Sequence, residues 1–367
     1  MINESRLLAQ FMDYVKIDSP SRHEGGMARR AAQALDAMGL EVVCDRAGES
    51  FGSDGFNVLA RLPGEGESVL LTAHLDTVSP GCGIEPVLED GVITSRGETV
   101  LGGDDKSGVC AILEAVQTIL ENDLPHRPAE ILFTIGEECG LCGAKALHVS
   151  QLHSRVGFVF DASGSVGRMV VSAPGQLKIH AAVHGRKAHA GNAPEAGISA
   201  IQVMAKGIAA MNLLRIDGET TCNIGSIHAD FATNIVPDLA QMTAEVRSRN
   251  AQKMAAQAAH MKACMEAACA QAGARLEWEE EVSYLAYCHG ADAQPVAMAS
   301  RALEAIGCAP RPEAGGGGSD ANVLNQRGLC CVVLGTGMTD VHTTKESITV
   351  RNLTDSARLA LALLTGE

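Results

Sequence analysis

Aromatic side chains are scarce: Phe, Tyr and Trp make up only 3% of the 367 residues, and there is a single Trp. A core must then be built from Ala, Val, Leu and Ile, and the 46% hydrophobic content is ample for one. That content also excludes a disordered chain. Positive charge is in deficit. Against 44 Asp and Glu stand 29 Lys and Arg, for a formal net charge of −15. Without a dense Lys/Arg run, a face for a phosphate backbone is excluded, and no nucleic-acid partner is expected. No apolar run is long enough to span a bilayer, so no membrane partner is expected either. The opening MINESRLLAQFMDYVKIDSPS has a helical amphipathic period. It lacks the basic stretch and continuous apolar run of a signal peptide, which makes the cytoplasm the expected compartment.

The chain has 12 cysteines. Most stand singly in apolar segments, and in a reducing compartment Cys44, Cys110 and Cys222 read as small core residues. Cys139 and Cys142 have C-x-x-C spacing directly after Glu138. They lack the second Cys pair or nearby His pair of a structural zinc site, and read as packing near a loop. Met204, Met211, Met254, Met261 and Met265 fall at helical spacing and read as core or interface. Histidines outside the motifs below read as surface or packing residues.

A chain of this length exceeds one small core and suggests two domains. In its first part strand and helix alternate. Residues about 4–16, 26–38 and 107–121 have helical period. Residues 40–44, 56–62, 69–73, 131–135 and 156–160 read as strands. This alternation predicts an α/β domain with a mixed, mostly parallel sheet and helices on both faces. The pattern changes near Pro174. Leu177, Ile179, Ala181 and Val183 alternate with Lys178, His180, Ala182 and His184, as in a strand with one wet face. A helix at about 197–212, strands at 221–228 and 239–247, a helix at 251–272 and a strand at 275–283 follow. The order β-α-β-β-α-β is that of a ferredoxin-like α+β domain. After residue ~290 come a helix (about 294–306), a strand (329–335) and a last helix (about 352–364). The expected organisation is a catalytic domain of residues 1–175 and 285–367, interrupted by a lid domain of residues 176–284.

Five short segments carry acidic or imidazole groups at strand ends or in Gly-rich turns: His74-Leu75-Asp76, Gly103-Asp104-Asp105, Glu137-Glu138, Asp161 and Val341-His342. Strand ends and their loops are where open α/β sheets place their chemistry. Two imidazoles and several carboxylates suit a pair of Zn²⁺-like ions, and a metal pair that activates water implies a hydrolase. In an extended segment His74 and Asp76 share a face, so one ring nitrogen of His74 can bind metal while Asp76 accepts from the other. One of Asp104 and Asp105 is expected to cap the following helix and the other to bind metal. Of the adjacent Glu137 and Glu138, one can ligate and its neighbour hold a nucleophilic water. Alone each motif is weak, since His-x-Asp, a capping Asp and a surface Glu pair are all common. Their order along the chain is the stronger signal.

In that order the chain resembles the M20 family of dinuclear zinc peptidases, and within it the peptidase T-like proteins. The resemblance runs through Ala73–Thr77, Gly102–Lys106, Gly136–Glu138, Asp161, Gly316–Asn322 and Val341–Glu346. It implies a zinc exopeptidase-like fold and two zinc ions, with manganese and cobalt as alternatives. By the same resemblance His74, Asp104 and Asp161 hold one ion. Asp104, Glu138 and His342 hold the other, with Asp104 bridging. Glu137 is then the general base, Asp76 orients His74, and the Asp104–Asp105 peptide is cis. The insert corresponds to a lid through which the family forms homodimers. Within it His189, in Arg186–Gly191, resembles an oxyanion-stabilising residue reaching a neighbouring active site, and Asn234 and Arg247 resemble substrate-binding positions. Arg247 reads equally as a strand-end salt-bridge residue. The implied activity is that of an aminopeptidase on tripeptides. A dipeptidase, a carboxypeptidase and an N-acyl amino acid deacylase are within-family alternatives. A non-catalytic metal-binding protein is the remote one, which the presence of Glu137 disfavours.

Overall fold

The computed structural model describes residues 1–366. The chain divides into two compact units. The first comprises Met1–Ser172, His289–Gly315 and Ser319–Glu367, the second Ala173–Cys288 and Gly316–Gly318.

The first unit is built on a mixed sheet. Its strands run in the order Glu41–Cys44, Val58–Leu62, Ala129–Thr134, Val69–His74, Val156–Ala162, Cys330–Gly335, Arg168–Ala173, with Arg311–Ala314 parallel to the last. The four central strands from Ala129–Thr134 to Cys330–Gly335 are mutually parallel. Ala129–Thr134 and Val69–His74 are buried at every position, so both faces of the sheet are covered. This is why they read as unbroken apolar runs and not as alternating ones. The helices Gly103–Asn122 and Val350–Thr365 pack on each other, and the former packs on Val69–His74. Glu85–Glu89, Val92–Arg96 and Ser347–Thr349 form a small three-stranded sheet, the last of them leading directly into Val350–Thr365.

The second unit has an antiparallel sheet in the order Leu214–Arg215, Thr220–His228, Leu239–Ser248, Gly175–His184, Arg275–Tyr284. Leu177, Ile179, Ala181 and Val183 turn inward onto the helices Ala200–Ala209 and Ala251–Ala272. Met204, Met211, Met254, Met261 and Met265 are all buried in this small core. With its β-α-β-β-α-β order, this is the expected ferredoxin-like arrangement.

Two expectations need correction. Cys44 is exposed, at the end of a short strand with no buried position, whereas Cys110 and Cys222 are buried as expected. The helix expected from residue 107 begins at Gly103, although Asp104 and Asp105 depart from helical φ and ψ. No helix among the described residues is long and apolar enough to cross a membrane.

Candidate metal centre

The carboxyl ends of the central parallel strands, with the loops that follow them, supply the site. Val69–His74 ends in His74, Gly136 and Glu137 follow Ala129–Thr134, and Val156–Ala162 carries Asp161 near its end. Gly136 turns the chain with φ +61, and a Cβ there would lie 2.8 Å from the Phe51 ring, so the exit to Glu137 requires glycine. Asp104 enters from the first turn of Gly103–Asn122, where its φ and ψ depart from helical values. His342 enters from a turn in which it and Asp340 both adopt left-handed φ. Such a backbone persists in a non-glycine residue where its surroundings fix it.

These segments bring seven of the predicted residues together. His74 Nε2 lies 3.1 Å from Asp104 Oδ1 and 3.6 Å from Asp161 Oδ1. His342 Nε2 lies 3.1 Å from Asp104 Oδ2 and 2.9 Å from Glu138 Oε1. Donor atoms of His74, Asp104 and Asp161 fall within 4.8 Å of one another, as do those of Asp104, Glu138 and His342. A third such group joins His74 with Glu137 and Glu138. His74 Nδ1 is 3.0 Å from the Asp76 carbonyl and 3.4 Å from its carboxylate. That carboxylate also accepts the amides of Glu137 (3.0 Å) and Glu138 (3.2 Å) and the Ser21 hydroxyl (2.6 Å). Asp76 thus holds both His74 and the Glu137-Glu138 turn. The Asp104–Asp105 peptide is cis. Asp105 accepts the amides of His74 and Gly108, both at 3.2 Å, which makes it the capping member of the pair.

The electrostatics are those of crowded anions. Burial and the neighbouring Asp161 hold the Glu137 carboxyl well above the usual range, with His74 opposing. Burial pushes Asp161 up to about 7 against the contact with His74. Burial works to raise Asp104 too, but its contacts with His342 and His74 outweigh that and hold it low. Burial disfavours a charged His74, yet Asp104, Asp161 and Asp76 together raise its pKa well above the ordinary value. His342 is raised to about 10, first by Asp104 and then by Glu138. The surrounding carboxylates therefore favour protonation of both imidazoles, so that a proton and a divalent ion compete for the same nitrogens. Imidazole and carboxylate donors, gathered this closely and lacking balance of charge, fit divalent ions.

His189, Asn234 and Arg247 belong to the second unit. Ala188–His189 pairs with Ile235–Val236, and the Ala190 amide donates to the Asn234 carbonyl at 2.9 Å. His189 is exposed, and its Nδ1 accepts the amides of Gly191 (3.2 Å) and Asn192 (3.1 Å). In the neutral ring the proton then sits on Nε2, leaving that nitrogen a donor. Arg247 makes two bonds to Glu245, at 2.8 and 3.1 Å. Cys139 and Cys142 are thiols whose sulfurs lie 3.8 Å apart.

Comparison with known proteins decides the family. A model of the peptidase dimerisation domain, the M20 dimer domain, matches residues 171–273. One of peptidase family M28 matches residues 57–202. The chain is 40% identical over 366 residues to the uncharacterized protein YqjE of Bacillus subtilis, covering 99% of both. The crystal structure of aminopeptidase PepT from Bacillus cereus is 40% identical, with a TM-score of 0.91 over 99% of this chain and 98% of that one. A tripeptidase from Staphylococcus aureus is 36% identical, with a TM-score of 0.95 over 100% and 98%. The chain belongs to the M20 peptidases, in their peptidase T-like branch. As an M20 peptidase it is a hydrolase of peptide bonds. The M20 reading also accounts for the two-unit organisation, since the dimerisation-domain match falls largely within Ala173–Cys288.

In the first unit, Asp320 and Glu346 are buried carboxylates with no role expected from the sequence. Asp320 accepts from Thr134 Oγ1 at 2.5 Å, and Glu346 accepts three backbone amides. Both lie in the Gly316–Asn322 and Val341–Glu346 segments that mark the family. Nothing in the local pattern separates them from surface acids.

Proposed function

We propose that this protein is a dinuclear metallo-aminopeptidase that releases the N-terminal residue of tripeptides, working in the cytoplasm as a homodimer. The observation that carries the reading is the carboxylate of Asp104, which sends Oδ1 to His74 and Oδ2 to His342. One carboxylate so placed serves two cations. His74, Asp104 and Asp161 would hold one; Asp104, Glu138 and His342 would hold the other. The mixture of imidazole and carboxylate suits zinc, and manganese or cobalt next.

Two ions held by these residues would lower the pKa of a bound water and polarise the scissile carbonyl. Glu137, beside the ligand Glu138, takes the proton of the attacking water and passes it to the leaving amine. Asp76 keeps Glu137 in place through its amide and keeps His74 in one tautomer. His189 donates from Nε2 to the oxyanion that develops. Asn234 and Arg247, the latter oriented by Glu245, bind the substrate backbone and carboxylate. The aminopeptidase and tripeptidase names of the relatives support the substrate class.

The test is a screen of di-, tri- and tetrapeptides, N-acetylated tripeptides and N-acyl amino acids with zinc, manganese and cobalt. Tripeptides should have the highest kcat/KM, their first residue should be released, and acetylation should block cleavage. Metal analysis of protein made without chelator should give about two ions per chain. A preference for N-acyl amino acids or for dipeptides, or a single ion per chain, overturns the reading.

The dimer has its own test. The match to a dimerisation domain and the exposed His189 support a residue that serves the partner's site. Glu137→Gln and His189→Ala, each inactive alone, are mixed and allowed to exchange subunits. A heterodimer then pairs an intact Glu137 in one protomer with an intact His189 from its partner, and activity should rise towards half of the heterodimer's full capacity. If His189 acts within its own chain, mixing restores nothing.

A further inference from the structure

Glu346 is a buried side chain to which the mechanism gives no task, and its surroundings are unusual. It is 2% exposed. Its Oε2 accepts the amides of Leu101 (2.8 Å) and Gly102 (2.9 Å), and its Oε1 accepts the amide of Asp104 (2.9 Å). These partners lie 242 to 245 residues away along the chain. Three amides converging on one carboxylate form an anion cradle of the kind that fixes a loop. The loop in question ends in the residue whose two oxygens face both imidazoles. Glycine at 103 is part of the fit, because a Cβ there would stand 3.0 Å from Glu346 Oε1.

The other end of Glu346 is tied as closely. Its own amide donates to the Thr343 carbonyl at 3.1 Å. The Thr343 hydroxyl donates to the Asp340 carbonyl at 2.7 Å and accepts the Lys345 amide at 3.1 Å. This turn carries His342 in its left-handed conformation. One side chain therefore connects the turn bearing His342 to the loop bearing Asp104. Those two groups meet at 3.1 Å, in the contact on which the second ion site depends.

We propose that Glu346 is a positioning residue of the dinuclear centre: it sets the distance between Asp104 and His342 by holding the backbone of both segments. It touches neither ion nor substrate. It acts by pre-forming the bridging carboxylate, so that ion binding does not have to order the Gly102–Asp104 loop. The inference rests on the dinuclear reading above and adds a specific dependence to it.

Glu346→Gln leaves one acceptor oxygen and puts an NH₂ where amide donors converge. Gly103→Ala keeps the charge but pushes against Oε1. Zn²⁺ binding to the chelator-stripped protein is measured by competition with a chromophoric chelator, with thermal melting in parallel. Leu35→Ala, a core change in the helix Gly25–Ala37, serves as the control for general destabilisation. The wild type should take up two ions. Glu346→Gln should bind its weaker ion roughly 10–100-fold less tightly, with Gly103→Ala moving the same way by less. Leu35→Ala should melt early and keep wild-type affinity. Should Glu346→Gln not fold, Gly103→Ala alone decides. If the wild type binds two ions and every variant that folds matches its affinities, Glu346 has no positioning role. If affinity falls equally in Leu35→Ala, the effect is one of stability, and the proposal is lost. If the wild type itself binds fewer than two ions, the dinuclear reading fails and not this dependence alone.

Discussion

Glu137→Gln is expected to lower kcat by roughly 10³-fold while ion content and melting temperature stay close to wild type. The amide is nearly isosteric with the carboxyl but cannot accept the proton of the attacking water. The neighbouring amides of Glu137 and Glu138 remain anchored on Asp76, so the turn keeps its shape. The loss should fall on kcat and leave KM within a few-fold, because Glu137 is not assigned to ground-state binding. Pre-steady-state and steady-state rates on one tripeptide, with metal content measured on the same preparation, are the check. A variant that retains near wild-type kcat removes Glu137 from the role of base.

The second large effect concerns the shared ligand. Asp104→Asn is expected to bring ion content below one per chain and to abolish measurable turnover. The substitution replaces one of the two oxygens by an NH₂ that faces a ring nitrogen. One ion site loses its donor atom, and the other keeps only a neutral amide oxygen where a carboxylate stood, whereas Asp161→Asn weakens only the site of His74. Thermal melting gives an independent reading. A ligand present at 1,000 times its Kd stabilises a fold by ~4 kcal/mol. Wild type should therefore melt several degrees higher on adding Zn²⁺, and Asp104→Asn should not respond. Two tightly held ions in Asp104→Asn would show that Asp104 does not bridge.

Much of this architecture was legible in the amino-acid sequence, for identifiable reasons. The helix Ala251–Ala272 was bounded to the residue, because Asn250 caps its start and Gly273 ends it with φ +70. Gly175–His184 was legible through strict alternation. The strands Glu85–Glu89 and Val92–Arg96 carry only a short signal, the Asp90-Gly91 hairpin turn between two five-residue runs. The helix Asp320–Gln326 was hidden behind a run of glycines. Its cap, Ser319 with Asn322, becomes visible only once the backbone is in place. At the site, residues that form part of a motif could be named, because each sits at a strand end or turn. Glu346 lay in a recognised segment, yet its task could not be read. Its partners are contiguous with it only after the sheet has formed, and an acid that accepts backbone amides leaves no signature in the identity of those amides. Ser21, which donates to Asp76 across 55 residues, is hidden for the same reason.

The chain order of the two units has a consequence for biosynthesis. Residues contributing to the proposed ion pair lie on both sides of the second unit, with His342 and Glu346 following it. At ~5–20 residues per second, translation of Ala173–Cys288 alone separates the two sets by roughly 6–23 s. During that interval the emerging polypeptide carries His74, Asp104, Glu137, Glu138 and Asp161 without the last imidazole or the cradle that sets Asp104. On the dinuclear reading, a nascent chain, or one broken off within the insert, lacks the proposed second ion site. On the proposed mechanism, hydrolytic competence is expected only near the end of synthesis, once His342 and Glu346 have been added.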